Sequence, residues 1–270
     1  YNRFYVDQGS SIMSKPYSRR LSREEVAAFG AELDALRARI VAELGEPDAR
    51  YIRRIRDTVR YSEFAGRVLL LAGLFPPAWI AGSITLGVSK ILENMELGHN
   101  VIHGQYDWMN DPEFNSASYE WDNVCAASAW RRTHNHIHHT YTNVVGHDDD
   151  IGYGVLRIFP EQPWYPANLP QPVYALAMAL LFQYGVGVQN SRIDLVLAGK
   201  LSLREALPEL KIFARKIRKQ VLKDYVAMPL LAGPAALSVL SGNVAANLIR
   251  NLWASAIIIR GHFTADAPVM

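Results

Sequence analysis

Three long stretches of this 270-residue chain are almost without charge, and they limit the fold before any single residue is considered. Residues 66–89, GRVLLLAGLFPPAWIAGSITLGVS, carry only Arg67 near one end. Residues 173–190, VYALAMALLFQYGVGVQN, and 225–249, YVAMPLLAGPAALSVLSGNVAANLI, carry none. A further apolar run, LWASAIII, follows Arg250 and Asn251. A helix needs about 20 residues, rising about 1.5 Å each, to cross the hydrocarbon core of a bilayer. The runs are of that order, so the chain reads as an all-α integral membrane protein. A large soluble helical protein would bury its central helices in shorter, more interrupted runs.

The polar segments between the runs set the expected topology. Residues 1–60 read as a cytoplasmic amphipathic region: Ser22 and Glu25 have capping-box spacing ahead of VAAFGAELDALRARIVAEL, and YIRRIRDTVR follows a break at Gly45–Pro47. Residues 191–224 are basic, with eight Lys and Arg against two Glu between 200 and 223. Basic flanks beside apolar runs favour the cytoplasmic side. With Pro76 and Pro77 at a turn, 61–98 becomes a first hairpin. Lys90, Glu93 and Glu96 shorten its second arm, which leaves a single kinked crossing as the alternative. Residues 173–190 read as re-entrant or interfacial, because a full crossing would carry the basic segment outside. Residues 225–260 read as a second hairpin turning at Ser241, Gly242 and Asn243. The expectation is about four transmembrane helices in two hairpins, with a cytoplasmic helical cap over 99–172.

Composition narrows the chemistry. A formal charge of +2, with acids and bases evenly mixed, gives no sign of nucleic-acid binding. The one cysteine, Cys125, cannot form an internal disulfide or supply a thiolate metal site, so any metal must be held by histidine, carboxylate or water. The first residues, YNRFYVDQGSSIMSKPYSRR, lack the apolar core of a secretory signal, and Met13 reads as a natural start preceded by extra sequence.

Histidine is what the chain has in quantity. Residues 130–143, WRRTHNHIHHTYTN, place four of the eight histidines within six positions. In ENMELGHNVIHGQYDW, His99 and His103 are four apart, which puts both on one face of an α-helix, roughly 40° apart. His134 and His138 share a face in the same way. On an α-helix His139 lies about 100° round from His138, in reach of a second metal, and His136 points nearly opposite His134 and is left out of the ligand set. So many imidazoles exceed what one tetrahedral zinc takes and favour two metal ions, iron before zinc. A zinc protease would need HExxH, but Asn100 and Asn135 follow the leading histidines. A soluble di-iron bundle needs two ExxH motifs, and the chain has one, Glu96 with His99. Glu96 is either a carboxylate orienting His99 or a plain helix-end charge. A histidine-rich metal transporter or binding protein is the competing class, although it would want ligands within the crossing segments.

GHNVIHGQYDW, WRRTHNHIHHTYTNVVGHDDDIGYG and IIIRGHF together resemble the membrane fatty acid desaturases, and most closely the bacterial acyl-CoA or acyl-lipid type, over residues 60 to 264. The resemblance implies a membrane domain over 61–264, in a bacterial inner membrane with its histidines facing the cytoplasm. It implies two Fe ions, O2 as cosubstrate, a fatty acyl-CoA or acyl-lipid substrate, and a ferredoxin- or cytochrome-type electron donor with its reductase. Matched by position, His99 and His103 stand as first-box ligands, His134, His138 and His139 as second-box ligands, and His262 as the additional ligand. The family's third histidine box is absent, and residues 265–270 read as a truncated tail. Related hydroxylases and alkane monooxygenases use similar centres and remain open. Weaker expectations attach to Arg131 and Arg132 as contacts for a substrate head group or lipid, with Asp148, Asp149 and Asp150 as their partners. Asn143 and Trp108 are placed near the ligands, and His147 at the surface.

Overall fold

The computed structural model describes residues 21–263, apart from 149 and 161. The expected start at Met13, Asp149 and the tail at 265–270 lie outside the described residues. Two compact units are present, Tyr1–Asp48 and Ala49–Met270. In the first, α1 (Arg23–Glu43) opens with the expected capping box: Ser22 Oγ accepts from the Glu25 N–H at 3.1 Å, and the Glu25 carboxylate accepts from the Ser22 N–H at 2.8 Å. No residue of α1 is buried.

The second unit is helical throughout, with no strand among the described residues. Helix α2 (Glu46–Leu71) absorbs both YIRRIRDTVR and the start of the first apolar run. The chain turns through 72–75, and α3 (Pro76–Ile91) begins on the two prolines, which fit the first turn of a helix because their missing N–H groups would be unpaired there. Gly66 and Gly82 let these two helices approach backbone to backbone; a Cβ on Gly66 would sit 2.8 Å from the Leu86 nitrogen. Helix α4 (Gln171–Leu180) and α5 (Phe182–Asn190) meet at a 94° bend. Helix α6 (Leu203–Val221) leads through a π-helical turn (Leu222–Ala227) and Met228–Leu231 to the longest element, α7 (Ala236–His262), which packs against α3.

Polar contacts tie these helices together. Asp224, fully buried in the π turn after α6, accepts from Lys90 Nζ of α3 at 2.9 Å, from Arg67 of α2 at 3.2 Å and from Asn247 of α7 at 3.3 Å. Asn243 of α7 donates to the Asp224 carbonyl at 2.5 Å. One carboxylate thus joins four segments.

One expectation is corrected. The hairpin expected within 225–260 does not turn at Ser241, Gly242 and Asn243, which lie inside the unbroken α7. The break falls at 232–235, where Gly233 takes φ +55° and Pro234 follows. Gly242 serves a close contact instead: a Cβ there would stand 2.2 Å from Leu70 Cδ2. The expected four-span arrangement is not confirmed: no single helix among the described residues is long and apolar enough to cross a membrane, and the bent α4–α5 pair passes that test as a broken span or re-entrant loop.

Candidate metal centre

The first histidine pair sits where α3 changes its winding. After Ile91 the helix widens into a π turn, Leu92–Gly98, closed by a bond from the His99 N–H to the Asn94 carbonyl five residues back. One ordinary turn, His99–Ile102, follows. The second cluster repeats the device: Ala127–Trp130 opens into a π segment, Arg131–His138, closed by the His139 N–H on the His134 carbonyl. Such widened turns hold an extra residue and recur at functional sites. Here the wider turn swings His139, expected well round the helix from His138, back towards its neighbours. Its ring centroid lies 4.8 Å from those of both His134 and His103.

Five expected ligands then share one cavity of about 700 Å³: His99, His103, His134, His139 and His262. His138 closes the group from behind, buried, with its ring 5.0 Å from His134 and 5.0 Å from His262. Within it His99, His103 and His134 form one set of three with ligand atoms inside 4.8 Å of one another, and His134, His138 and Asp150 form a second. The Nε2 atoms of His99 and His103 face each other at 2.9 Å. Two imidazole nitrogens about 2.1 Å from one ion stand about 3 Å apart when they meet at a right angle, so this spacing suits neighbouring ligands of a single cation.

On three of the histidines the other ring nitrogen is tied off. His138 Nδ1 pairs with Asp148 at 3.0 Å, His134 Nδ1 with Asp150 at 3.3 Å, and His262 Nδ1 donates to the Ile258 carbonyl at 2.9 Å. This arrangement aims Nε2 inward and fixes the tautomer. Asp148 is itself held by the backbone N–H groups of Asn143 and Asp150 at 2.9 and 3.0 Å, and Asp150 also accepts from Gln189 of α5 at 3.2 Å. Burial, then the neighbouring rings, lowers the His99 pKa to about 4 and the His103 pKa to about 3. Burial likewise lowers His134 and His139. Burial pushes the Asp150 carboxyl up, but the His134 hydrogen bond and the adjacent imidazoles hold it below its usual range. Neutral imidazoles backed by carboxylates are the form that binds a cation. Burial also pushes the Cys125 thiol up to about 12, which removes it as a ligand.

The walls are aromatic and apolar near the histidines and polar at the far end. Trp130 stacks on His134 at 4.1 Å and presents its edge to His99 and His103 at 5.3 Å. Going down α7 from His262, the lining passes Ile258, Ile257 and Ala254 to Arg250, about 18 Å along the axis. Arg250 is fully buried, and neither of its terminal nitrogens has a hydrogen-bond partner.

The weaker expectations divide. Asp148 lies behind His138, and Asn143 behind Asp148, its backbone N–H at φ +61° rather than its amide making the contact. Asp148 and Asp150 pair with histidines, not with the arginines. Arg131 donates to the Ser116 carbonyl at 2.6 Å, and Arg132 is held by Glu209 and donates to the Asn190 carbonyl at 3.1 Å. The Glu96 carboxylate is engaged by the Tyr51 hydroxyl. Trp108 lies in the turn Asp107–Met109 with its indole N–H buried and unpartnered. His136 and His147 are exposed, the latter stacked on Tyr141 at 5.0 Å. The role of Asp150 was missed; the aspartate run after GH was its one signal.

The model of the fatty acid desaturase family matches residues 33–266. The chain belongs to the fatty acid desaturase family. Over 251 residues it is 45% identical to an NADPH-dependent stearoyl-CoA 9-desaturase of Mycobacterium tuberculosis, covering 92% of this chain and 59% of that protein. Over 97 residues it is 35% identical to an sn-1 linoleoyl-lipid 6-desaturase of Synechocystis sp., covering 35% of this chain and 26% of that protein. No solved structure matches. The chain therefore spans less than two thirds of the length of these curated desaturases.

Proposed function

We propose that this chain supplies the histidine-lined chamber of a membrane fatty acyl desaturase holding two iron ions. The observation that carries the reading is the placement of five imidazoles from three separate segments at one end of a long, largely apolar cavity. The donor set fits the metal: nitrogen ligands, neutral, with no thiolate, and carboxylates behind two of them. His99, His103, His134, His138, His139 and His262 would hold it. Iron held there would supply the oxidising power to remove two hydrogens from adjacent methylenes, with O2, two electrons from an external carrier and two protons giving a cis double bond and two waters.

The protein's own groups position and shield. The Met95, Val186, Ile257 and Ile258 side chains line the path an acyl chain would follow, and Trp130 walls it against the first-box histidines. Holding a methylene pair beside the imidazoles is what selects the bond, since an unactivated chain offers no other handle. Asp148 and Asp150 keep His138 and His134 in the ligating tautomer. An acyl-CoA or an acyl-lipid as substrate is supported by the relatives' printed names, and the NADPH dependence printed for the M. tuberculosis enzyme supports an external electron supply.

A membrane setting is supported by apolar side chains exposed at the end of the helices remote from the histidines: Phe64, Leu74, Phe75, Leu230, Leu231 and Leu237. With the bent α4–α5 pair and the basic α6, this supports an orientation with the metal centre on the cytoplasmic side.

The test is iron content and product together. The full-length protein, purified from membranes and supplied with reductant, O2 and a deuterium-labelled saturated acyl-CoA, should contain two irons per chain and yield a monounsaturated product that His103→Ala abolishes. A hydroxylated product would move the assignment to the related oxygenases, and absence of iron would end it.

A further inference from the structure

Helix α1 carries an apolar seam that nothing in its own unit covers. Val26, Phe29, Leu33, Leu36 and Ile40 follow one another at spacings of three and four, and each is between 42% and 56% exposed. Written as heptads, Val26, Leu33 and Ile40 take position a, and Phe29 and Leu36 take position d. The stripe is narrow. Alanines 27, 28, 31, 35, 38 and 42 cover most of the opposite face, and charged residues lie along both edges. Apart from Val41 at position b, 54% exposed, the large apolar residues of α1 lie at a and d, the pattern of a two-stranded coiled coil rather than of a helix lying on a globular core, which needs a wider stripe.

We propose that α1 pairs with α1 of a second copy of this chain as a short parallel coiled coil. Three observations choose this occupant. Val26 and Ile40 at a with Leu36 at d follow the pattern of two parallel strands, while Leu33 at a and Phe29 at d depart from it. Glu32 at g faces position e of the next heptad in a parallel partner, which is Arg37, so two identical copies place opposite charges together on both sides of the seam. Finally, α1 holds Glu24, Glu25, Glu32, Asp34 and Glu43 against Arg23, Arg37 and Arg39. A net negative helix is repelled by an anionic leaflet, which argues against docking on the lipid surface.

The test is cross-linking in intact cells expressing the full chain. The only native thiol, Cys125, is buried and does not compete. Leu36→Cys and, separately, Phe29→Cys place a thiol in the seam, and Ala38→Cys places one on the opposite face. A short membrane-permeable bismaleimide should give a covalent dimer from each seam variant at least fivefold above that from Ala38→Cys. Adding Glu32→Arg should cut the yield severalfold, and adding Arg37→Glu to that should restore it. Equal yields at all three positions would mean random collision, and no dimer from either seam variant would mean the seam is covered by another surface. A 33-to-36 cross-link between Leu33→Cys and Leu36→Cys copies, without 36-to-36, would mean an antiparallel pair. Each of these overturns the proposal.

Discussion

Asp148 and Asp150 touch no substrate in this arrangement, yet they decide whether His138 and His134 can act as ligands. Removing a carboxylate that orients a metal-bound histidine typically weakens metal binding about 10- to 100-fold. Asp148→Ala should therefore lower iron affinity within that range while leaving the helical content unchanged, as read by metal titration beside circular dichroism. A second prediction concerns protons. His99 and His103 are held near 4 and 3 by burial, below the ordinary 6.5. As pH falls through 6.5 towards 4, the unfolded chain takes up protons that the folded one refuses, so metal-free protein should lose stability across that window and keep it above. The melting temperature of metal-free protein should drop between pH 7 and pH 5, and by less in His99→Gln. The candidate ligands were legible because imidazole is rare and its four-residue spacing is read directly. Asp150 was not, since its partner lies sixteen positions away across a loop whose path no periodicity encodes.

The π turns before His99 and within 131–138 explain why helical arithmetic placed His139 too far round. A π turn holds one residue more than the α turn it replaces, and sequence spacing does not announce it. Deleting one residue inside Arg131–His138 should restore ordinary winding, carry His139 away from His103, and reduce bound iron while helicity is kept. Elsewhere the breaks were read from Gly and Pro with mixed success. Pro76 and Pro77 did open α3, whereas Ser241, Gly242 and Asn243 run through α7 because Leu70 fills the space over Gly242 and Asn243 holds the Asp224 carbonyl. The Asp224 junction makes its own prediction. Asp224→Ala leaves buried Lys90 with only the more distant Asp122, at 3.9 Å, a loss towards the lower end of the about 3–5 kcal/mol of broken buried pairs, visible as a lower denaturant midpoint.

For the molecule as a whole, the apolar runs announced helices and the histidines announced a centre, but the sequence could not say that the runs would divide into shorter, bent pieces. The exposed band from Phe64 to Phe75 and from Leu230 to Leu237 leads to a further expectation: the protein should sediment with membranes, resist high salt and alkaline carbonate, and enter solution only with detergent. Release by salt alone would contradict the membrane setting. The far end of the chamber has a consequence of its own. Arg250 is a fully buried guanidinium whose two terminal nitrogens have no hydrogen-bond partner, and it lines the same cavity as the histidines. A buried charge is costly to cover with hydrocarbon, so on the proposed reading Arg250 sets a limit to how deep the methyl end of an acyl chain would go, and Arg250→Leu should admit a longer chain.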